Sequence, residues 1–174
     1  MPKTIKLRLA TNSIRSAVEE LKEYQDWMER KADELREEVA KRIQQLAQKG
    51  FDTSEIDDDQ TYGFSVPNVS VATDTQGNVT VVIAQGEDAV WVEFGAGVCH
   101  NGQPGTSRHP KGEELGFTIG SYGLGRGKYD VWSYRDESGE KHYSMGTPTQ
   151  MPMQNAYLTV LQDIPTIARE VFNR

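Results

Sequence analysis

The stretch Val92-Glu93-Phe94-Gly95-Ala96-Gly97 marks the point at which this chain changes character. It ends a run of ordinary helix or strand sequence and opens a segment from Gly95 to Gly127 that is 33 residues long and contains ten glycines. A connection longer than about 12–15 residues is uncommon in a compact domain unless it has a function. We therefore expect residues 95–127 to form a long Gly-rich loop that is the working part of the molecule.

The composition predicts one soluble domain, spanning residues 1–174, with a small core. Hydrophobic residues make up 36% of the 174 residues, below the roughly 45–50% of typical globular chains, which favours partner chains that complete the fold. The single cysteine, Cys99, excludes an internal disulfide, and the N-terminal segment lacks the apolar core of a signal peptide. No apolar run approaches the ~20 residues needed to cross a bilayer. We expect a cytosolic protein without a membrane partner.

The charge argues against tight binding of nucleic acid. The chain carries 19 Lys and Arg against 26 Asp and Glu, a net charge of −7. Proteins that bind DNA or RNA tightly owe much of their affinity to neutralised phosphates. We therefore expect that this acidic chain does not bind nucleic acid tightly.

Two patterns open the chain. Apolar residues alternate with basic ones over residues 5–9, which predicts a short half-buried strand. From Ile14 to Leu46 the apolar residues recur at steps of three, four or seven, which is typical of one face of an α-helix. This pattern predicts a helix over residues 12–49 that ends at Gly50.

The length and the stripe of the predicted helix raise two further expectations. At 1.5 Å per residue it would be about 57 Å long, so part of it must project beyond a small domain or be kinked. Gln25 and Arg42 interrupt the apolar stripe. Ordinary packing against a sheet is therefore the first interpretation, and a coiled coil is the alternative.

The middle of the chain predicts antiparallel strands. Alternating apolar residues on both sides of the turn residues 74–78 indicate a hairpin inside a first sheet region, residues 62–94. A second hairpin is expected within residues 128–146, around the turn Asp136-Glu137-Ser138-Gly139. Asp57-Asp58-Asp59 lacks the glycine and glutamate of a calcium loop and is interpreted as a solvated acidic turn.

The end of the chain predicts a C-terminal helical region over residues 152–172. Pro165 lacks a backbone donor, so we expect a kink or a restart there, with Asp163 as the cap of the restarted helix. The predicted fold class is α+β: a long N-terminal helix packed on an antiparallel β-sheet, with a long Gly-rich loop and a C-terminal helix.

One group of residues has the chemistry of a metal or catalytic site. Cys99, His100 and His109 lie within eleven positions and could bind zinc, with His142 as a further ligand, or act as nucleophile and base. The group has no paired CxxC or HxxxH spacing and no orienting partner. We therefore expect a chance grouping, with no catalytic residue, no metal and no cofactor, and keep a metal-binding or hydrolytic enzyme as an alternative.

A resemblance rests on two blocks of sequence. A long charged helix, then residues 89–97 (AVWVEFGAG), a variable loop, and residues 146–156 (GTPTQMPMQNA) before a closing helix resemble the tailed-bacteriophage neck family of tail completion and head-to-tail joining proteins, similar to minor tail protein Z. The family shows a Val-Glu-Phe-Gly-Thr-Gly-like block and a later Gln-Pro-Phe-Met-like block. Here Ala96 replaces the threonine, and Pro152 is shifted by one place without a neighbouring Phe.

The resemblance implies a non-enzymatic structural protein of the virion, from a phage or a prophage, that joins the tail to the head connector. It implies a homo-oligomeric ring, with a hexamer expected, made in the host cytoplasm and bound to other neck and tail proteins. Genomic DNA would pass through without specific binding, as the acidic charge favours. The expected interface residues are Glu93, Phe94, Gly95, Gly97, Leu115, Phe117, Ile119, Tyr122 and Leu124. A coiled-coil adaptor module is the other alternative.

Two expectations about behaviour follow. Residues 98–128 should be mobile in the isolated subunit and protected from hydrogen exchange in the assembled neck, because the glycines raise the entropy cost of ordering them. Replacing Cys99, His100 and His109 together by Ala should leave particle assembly intact.

Overall fold

The computed structural model describes residues 11–58, 63–95, 107–117, 132–135, 138–144 and 146–174. The described parts of the chain form three helices and six short strands. In chain order these are α1 (Thr11–Asp52), β1 (Ile56–Asp58), β2 (Gly63–Ser65), β3 (Ser70–Gln76), β4 (Val79–Gln85), α2 (Ala89–Phe94), β5 (Trp132–Arg135), β6 (Lys141–Ser144) and α3 (Pro152–Phe172). The predicted α+β class is confirmed. The strand predicted at residues 5–9 lies outside the described residues.

Helix α1 is one helix of 42 residues, about 63 Å long at 1.5 Å per residue. It continues through Gly50, so the predicted end of the helix at that glycine is wrong. The reason for the glycine is a close approach between helices: a Cβ at Gly50 would lie 2.8 Å from the Cβ of Pro152. Gly50 lets the start of α3 contact the backbone of α1.

Gly50→Ala tests this contact, because a substitution that usually stabilises a helix should here lower the free energy of unfolding. Alanine in a helix interior normally stabilises by about 1 kcal/mol relative to glycine, but here the added methyl group overlaps Pro152. We expect a net loss of about 1–2 kcal/mol in the free energy of unfolding, measured by urea titration. Gln45→Ala, at an exposed position of the same helix, should change it by less than about 0.5 kcal/mol. A stabilised Gly50→Ala would contradict the contact.

Helix α3 packs along the second half of α1. Val160, Ile167 and Val171 are buried against it, with Leu35, Val39, Ile43 and Phe172 around them. The predicted bounds of 152–172 are confirmed, but α3 is continuous through Pro165, and the expected restart at Asp163 is wrong. Because Val160 and Ile167 are buried on either side of the proline, packing on α1 holds both halves in one helix.

A second cluster joins α1 to the middle of the chain. Its buried members are Ala47, Phe51, Val69, Val71, Ala89, Val92 and Ala156.

Arg42 breaks the apolar stripe of α1, yet it donates hydrogen bonds to Glu38 (3.0 Å) and to Glu170 of α3 (2.6 Å). These two carboxylates raise the pKa of Arg42 above its ordinary value. The interruption seen in the sequence is thus a polar tie between two helices.

The first part of α1 extends past α3. The ring of Trp27 meets the edge of Phe172, at the end of α3, with 5.8 Å between the ring centroids. About four turns of α1 lie N-terminal to this contact. In these turns the apolar side chains of Ile14, Val18 and Leu21 are 48%, 45% and 54% exposed. These turns are the part of the long helix that extends beyond α3, and Ala17 among them is only 6% exposed, so one of their faces is covered.

The two predicted hairpins are confirmed. Strands β3 and β4 pair antiparallel from Ser70↔Gln85 to Gln76↔Val79, so Asp74 belongs to the strand and only residues 77–78 form the turn. Strands β5 and β6 pair from Trp132↔Ser144 to Arg135↔Lys141.

Two other predictions for the middle of the chain are wrong. Residues 56–58 form a strand that pairs with β2, where an acidic turn was expected. Residues 89–94 form helix α2, although they were assigned to the first sheet region. The described strands form three separate two-stranded sheets, so α1 packs on a narrow hairpin instead of a wide sheet.

Two glutamines of α1 hold the β3–β4 hairpin. The side chain of Gln48 donates to the carbonyl of Val69 (3.0 Å) and accepts from the amide of Val71 (2.7 Å). Gln44 donates to the carbonyl of Val71 (2.9 Å). The helix therefore satisfies part of the edge of β3 as a neighbouring strand would.

Candidate assembly site at the junction of α2 and α3

Helix α2 is short and is positioned at both ends. The amide of Asn68 donates to the carboxylate of Asp88 (2.8 Å), just before the helix, and Val92 is fully buried in the core. The helix ends at Gly95, where φ is 78° and ψ is 158°, a conformation that is essentially restricted to glycine. Glu93 lies in this last turn of α2 and is buried.

Glu93 caps helix α3. One carboxylate oxygen accepts from the amide of Met153 (2.9 Å), and the other accepts from the amide of Gln154 (2.9 Å). The residue before α3, Met151, has left-handed backbone angles and supplies no capping side chain. Glu93 is only 6% exposed. A buried carboxylate therefore satisfies amides of the first helical turn and opposes the positive end of the helix dipole.

His109 completes the environment of this carboxylate. Its Nε2 lies 3.1 Å from Oε1 of Glu93, and its Nδ1 accepts from the amide of Lys111 at 3.1 Å. Because the amide of Lys111 can only donate, Nδ1 is the acceptor and Nε2–H donates to Glu93 in the neutral ring. Both ring nitrogens are engaged, so neither is free to act as a base or to bind a metal.

Ser107 lies beside this pair without forming a catalytic triad. Its hydroxyl donates to the carbonyl of Phe94 and accepts from the amide of His109 (3.2 Å). A nucleophilic serine would need its hydroxyl on the imidazole. In the described part of the chain, no three His, Cys, Asp or Glu side chains come together to hold a metal ion. Cys99 and His100 lie outside the described residues, and His142 lies on β6.

An aromatic stack fixes residues 107–117 on α2. The ring centroid of Phe94 lies 4.3 Å from that of His109 and 4.2 Å from that of Phe117. The planes of the two phenylalanine rings are nearly parallel, with 6° between them. The amide of Ser107 donates to the carbonyl of Phe117 (3.0 Å), and the amide of Phe117 donates to Gly112 (2.8 Å). We call residues 107–117 the docked turn. Within the predicted loop of residues 95–127, the described residues 107–117 thus form hydrogen-bonded turns.

The second block of the resemblance joins the same junction. The amide of Gln150 donates to the carbonyl of Val92 (3.0 Å), and the hydroxyl of Thr149 donates to the carbonyl of Phe94 (2.9 Å). The side chain of Gln150 also bonds both backbone groups of Glu55. Residues of the two blocks that lie 55 and 58 positions apart in the sequence therefore form one hydrogen-bonded unit.

The structure places the expected interface residues in three groups. Glu93, Phe94 and Phe117 contact other parts of the same subunit, as described above. Gly95 ends α2, and Leu115 lies on the docked turn with its side chain 53% exposed. The others lie outside the described residues: Gly97, Ile119, Tyr122 and Leu124.

The capping role of Glu93 was not predicted, although the sequence carries a signal for it. Helices usually begin after Ser, Thr, Asp or Asn, whose side chains accept from the first amides. The Met-Pro-Met at the start of α3 supplies no such acceptor. An acceptor from elsewhere in the chain is then required, and a buried acid after an apolar run is a suitable candidate.

The triple replacement of Cys99, His100 and His109 stays a prediction about particle assembly, and the contacts of His109 add an expected cost in subunit stability. His109→Ala should destabilise the subunit by about 2–3 kcal/mol, because it removes the ring that packs at a tilt against Phe94 and leaves Glu93 with one donor fewer. His109→Gln retains an N–H donor and should cost about half as much. Thermal unfolding of both variants tests this. Equal losses in Gln and Ala would show that the hydrogen bond to Glu93 contributes nothing.

No protein-family model, curated protein or solved structure matches the chain. None of the helices in the described ranges has the length and apolar character that a membrane crossing requires.

Proposed function

We propose that this chain is a structural protein of a tailed phage or prophage particle, a tail completion or neck component that joins the tail to the head connector. The observation that carries the proposal is the union of the two resemblance blocks through Glu93 and Gln150. Their most polar residues are used inside the subunit, where they fix α2 against α3. Such a role suits a building block better than a reaction centre.

The docked turn is the part of the junction that a neighbouring molecule would contact. Its inner side is fixed by Phe94, while Leu115 is exposed on its surface. In this proposal a neighbouring subunit or neck protein covers Leu115. The net charge of −7 fits a particle component past which DNA moves without being held.

A gene deletion with complementation tests the proposal. Particles made without the protein should contain filled heads and complete tails that are not joined, counted by negative-stain electron microscopy. The wild-type gene supplied from a plasmid should restore joined particles. Normal joining and infectivity in the deletion strain would refute the proposed function.

Leu115→Asp tests the contact surface. A carboxylate at an interface core loses its hydration without gaining a partner, so we expect joined particles to fall at least about tenfold. The free subunit should keep its stability, because Leu115 is exposed there. Val66→Asp, at another exposed apolar position (68%), should have little effect on joining. Equal effects of the two variants would remove the docked turn from the interface.

One observation favours a second candidate, a coiled-coil adaptor. The projecting turns of α1 expose Ile14, Val18 and Leu21 at helical spacing, and such a stripe can pair with another helix. Leu21→Asp should then abolish a dimer detected by sedimentation velocity. In the neck protein proposal the same variant leaves higher assembly in place.

A further inference from the structure

The two edges of the β3–β4 hairpin differ: α1 satisfies part of the edge of β3, whereas the edge of β4 pairs with no backbone group of the described residues. Along an antiparallel strand, successive residues turn their backbone groups alternately toward the partner strand and away from it. The backbone N–H and C=O of Val71 both bond glutamines of α1, so they point away from β4. By the alternation, the backbone groups of Thr73 and Thr75 point the same way. Their partners across the ladder therefore form the outer edge of β4: Thr80, Val82 and Ala84. Within the described residues, no backbone group pairs with this edge.

Strand β4 carries none of the devices that protect an edge. Natural edge strands are usually blunted by charges, prolines or bulges. The sequence of β4, Val79-Thr80-Val81-Val82-Ile83-Ala84-Gln85, has neither charge nor proline, and its register with β3 is unbroken. On the face away from α1, Val79, Val81 and Ile83 are exposed. The edge of β4 is thus open to another strand that would also cover this apolar row.

We propose that residues Ile5–Leu9 of a second copy of this chain add to the outer edge of β4 as a third strand. In this segment Ile5, Leu7 and Leu9 alternate with Lys6 and Arg8, so one face of the added strand would extend the apolar row of β4. The two basic residues lie in the strand that would become the new edge. Charges at that place discourage a fourth strand.

The reach of the chain decides that the donor is a second copy. Arg36 of α1 donates to the hydroxyl of Thr80 (3.2 Å), so β4 begins beside position 36 of the helix. The helix starts at Thr11, 25 positions earlier, which is about 37 Å along the axis. Residue 5 is six positions before Thr11 and reaches at most about 20 Å from it. The segment therefore cannot reach β4 of its own subunit, and the arginine side chain is too short to close the gap.

Strand donation of this kind would explain how subunits of the proposed neck component associate. Its extension from a pair of subunits to a ring rests on the proposed function. The donor segment and the acceptor edge are different surfaces, so the contact is heterologous, and such contacts close into rings or continue as filaments. The projecting part of α1 then carries the donor strand across to the neighbouring subunit.

The first test uses two proline variants on facing positions. Thr80 and Thr75 lie opposite each other in the ladder, and their hydroxyls share one hydrogen bond (3.0 Å). The amide of Thr80 faces the free edge, and the amide of Thr75 faces the other side, so neither proline removes a β3–β4 hydrogen bond. Thr80→Pro should weaken association of the full chain at least about tenfold in sedimentation velocity, and Thr75→Pro should leave it unchanged. Arg36→Gln controls for the bond from Arg36 to Thr80.

The second test mixes a donor-defective chain with an acceptor-defective chain. Ile5→Asp with Leu7→Asp removes the apolar donor face, and Thr80→Pro blocks the acceptor edge. Each chain alone should be monomeric, whereas the mixture should form a one-to-one dimer. This dimer should grow no further, because it uses the one intact donor and the one intact acceptor of the pair.

Every outcome of these tests decides the proposal. It is overturned if the wild-type chain stays monomeric at high concentration, if the mixture forms no dimer while the wild type associates, or if the donor-defective chain still associates alone, which would indicate pairing of β4 with β4. Joined particles made by Thr80→Pro at wild-type levels would overturn strand donation and leave the proposed function intact. Normal particles without the gene would refute that function and leave the mixing result unaffected.

Discussion

Glu93→Ala is expected to destabilise the subunit by about 3 kcal/mol. The substitution leaves the amides of Met153 and Gln154 without an acceptor and the Nε2–H of His109 without a partner, at a place where Glu93 and His109 are both buried. Loss of a helix cap costs about 0.5–2 kcal/mol, and each buried unsatisfied donor adds about 1–3 kcal/mol before the structure relaxes. Urea unfolding followed by circular dichroism measures the change, with an expected fall in melting temperature of roughly 6–12 °C.

Two further substitutions separate the role of the carboxylate from that of general charge. Glu93→Gln keeps one acceptor oxygen but presents an amide group to a backbone amide, so its loss should be intermediate. Glu114→Ala removes an exposed acid from the docked turn and should change stability by less than about 0.5 kcal/mol. If Glu93→Ala behaved like Glu114→Ala, the cap would contribute nothing and the junction would have lost the observation on which its role depends.

Gly95→Val is expected to have the second largest effect. With φ at 78° and ψ at 158°, the backbone is in a region that a β-branched residue avoids, at a cost of about 1–3 kcal/mol. The residue also connects α2 to the docked turn, and its amide donates to Trp91 (2.7 Å). Any relaxation of the backbone would displace Phe94 from its stack. We therefore expect lower soluble yield and fewer joined particles.

Gly105→Val is the comparison for this prediction. It places the same side chain in the same Gly-rich segment, at a position outside the described residues. Equal tolerance of the two substitutions, scored by soluble yield and by joined heads and tails, would show that the ending of α2 imposes no special constraint.

The elements whose apolar residues recur at regular spacing were predictable from the sequence. The long helix, both hairpins and the bounds of α3 follow from spacing that local sequence controls. The errors occurred where a tertiary contact overrides local preference. Gly50 and Pro165 both favour a helix end in isolation, yet the contact with Pro152 and the burial of Ile167 keep their helices intact.

The candidate site was only partly predictable. The sequence drew attention to Glu93, Phe94 and Phe117 as members of a block and a loop, but it assigned them to an interface between subunits. Their partners are 16 to 61 positions away within the same chain, and no local pattern specifies which distant amide a carboxylate will accept. His109 was grouped with Cys99 and His100 by proximity along the chain, whereas its contacts are with α2.

The capping of α3 by a residue of α2 also bears on the order of folding. An isolated helix whose first turn lacks an acceptor of its own is a poor nucleus, so the start of α3 becomes stable only when α2 is already in place. A chain interrupted before residue 152 would leave the acid of α2 without its amides and would expose the side of α1 that packs on α3. Such a chain would be a substrate for proteases instead of a subunit. The arrangement thus restricts the supply of building blocks to molecules whose synthesis has passed through both helices.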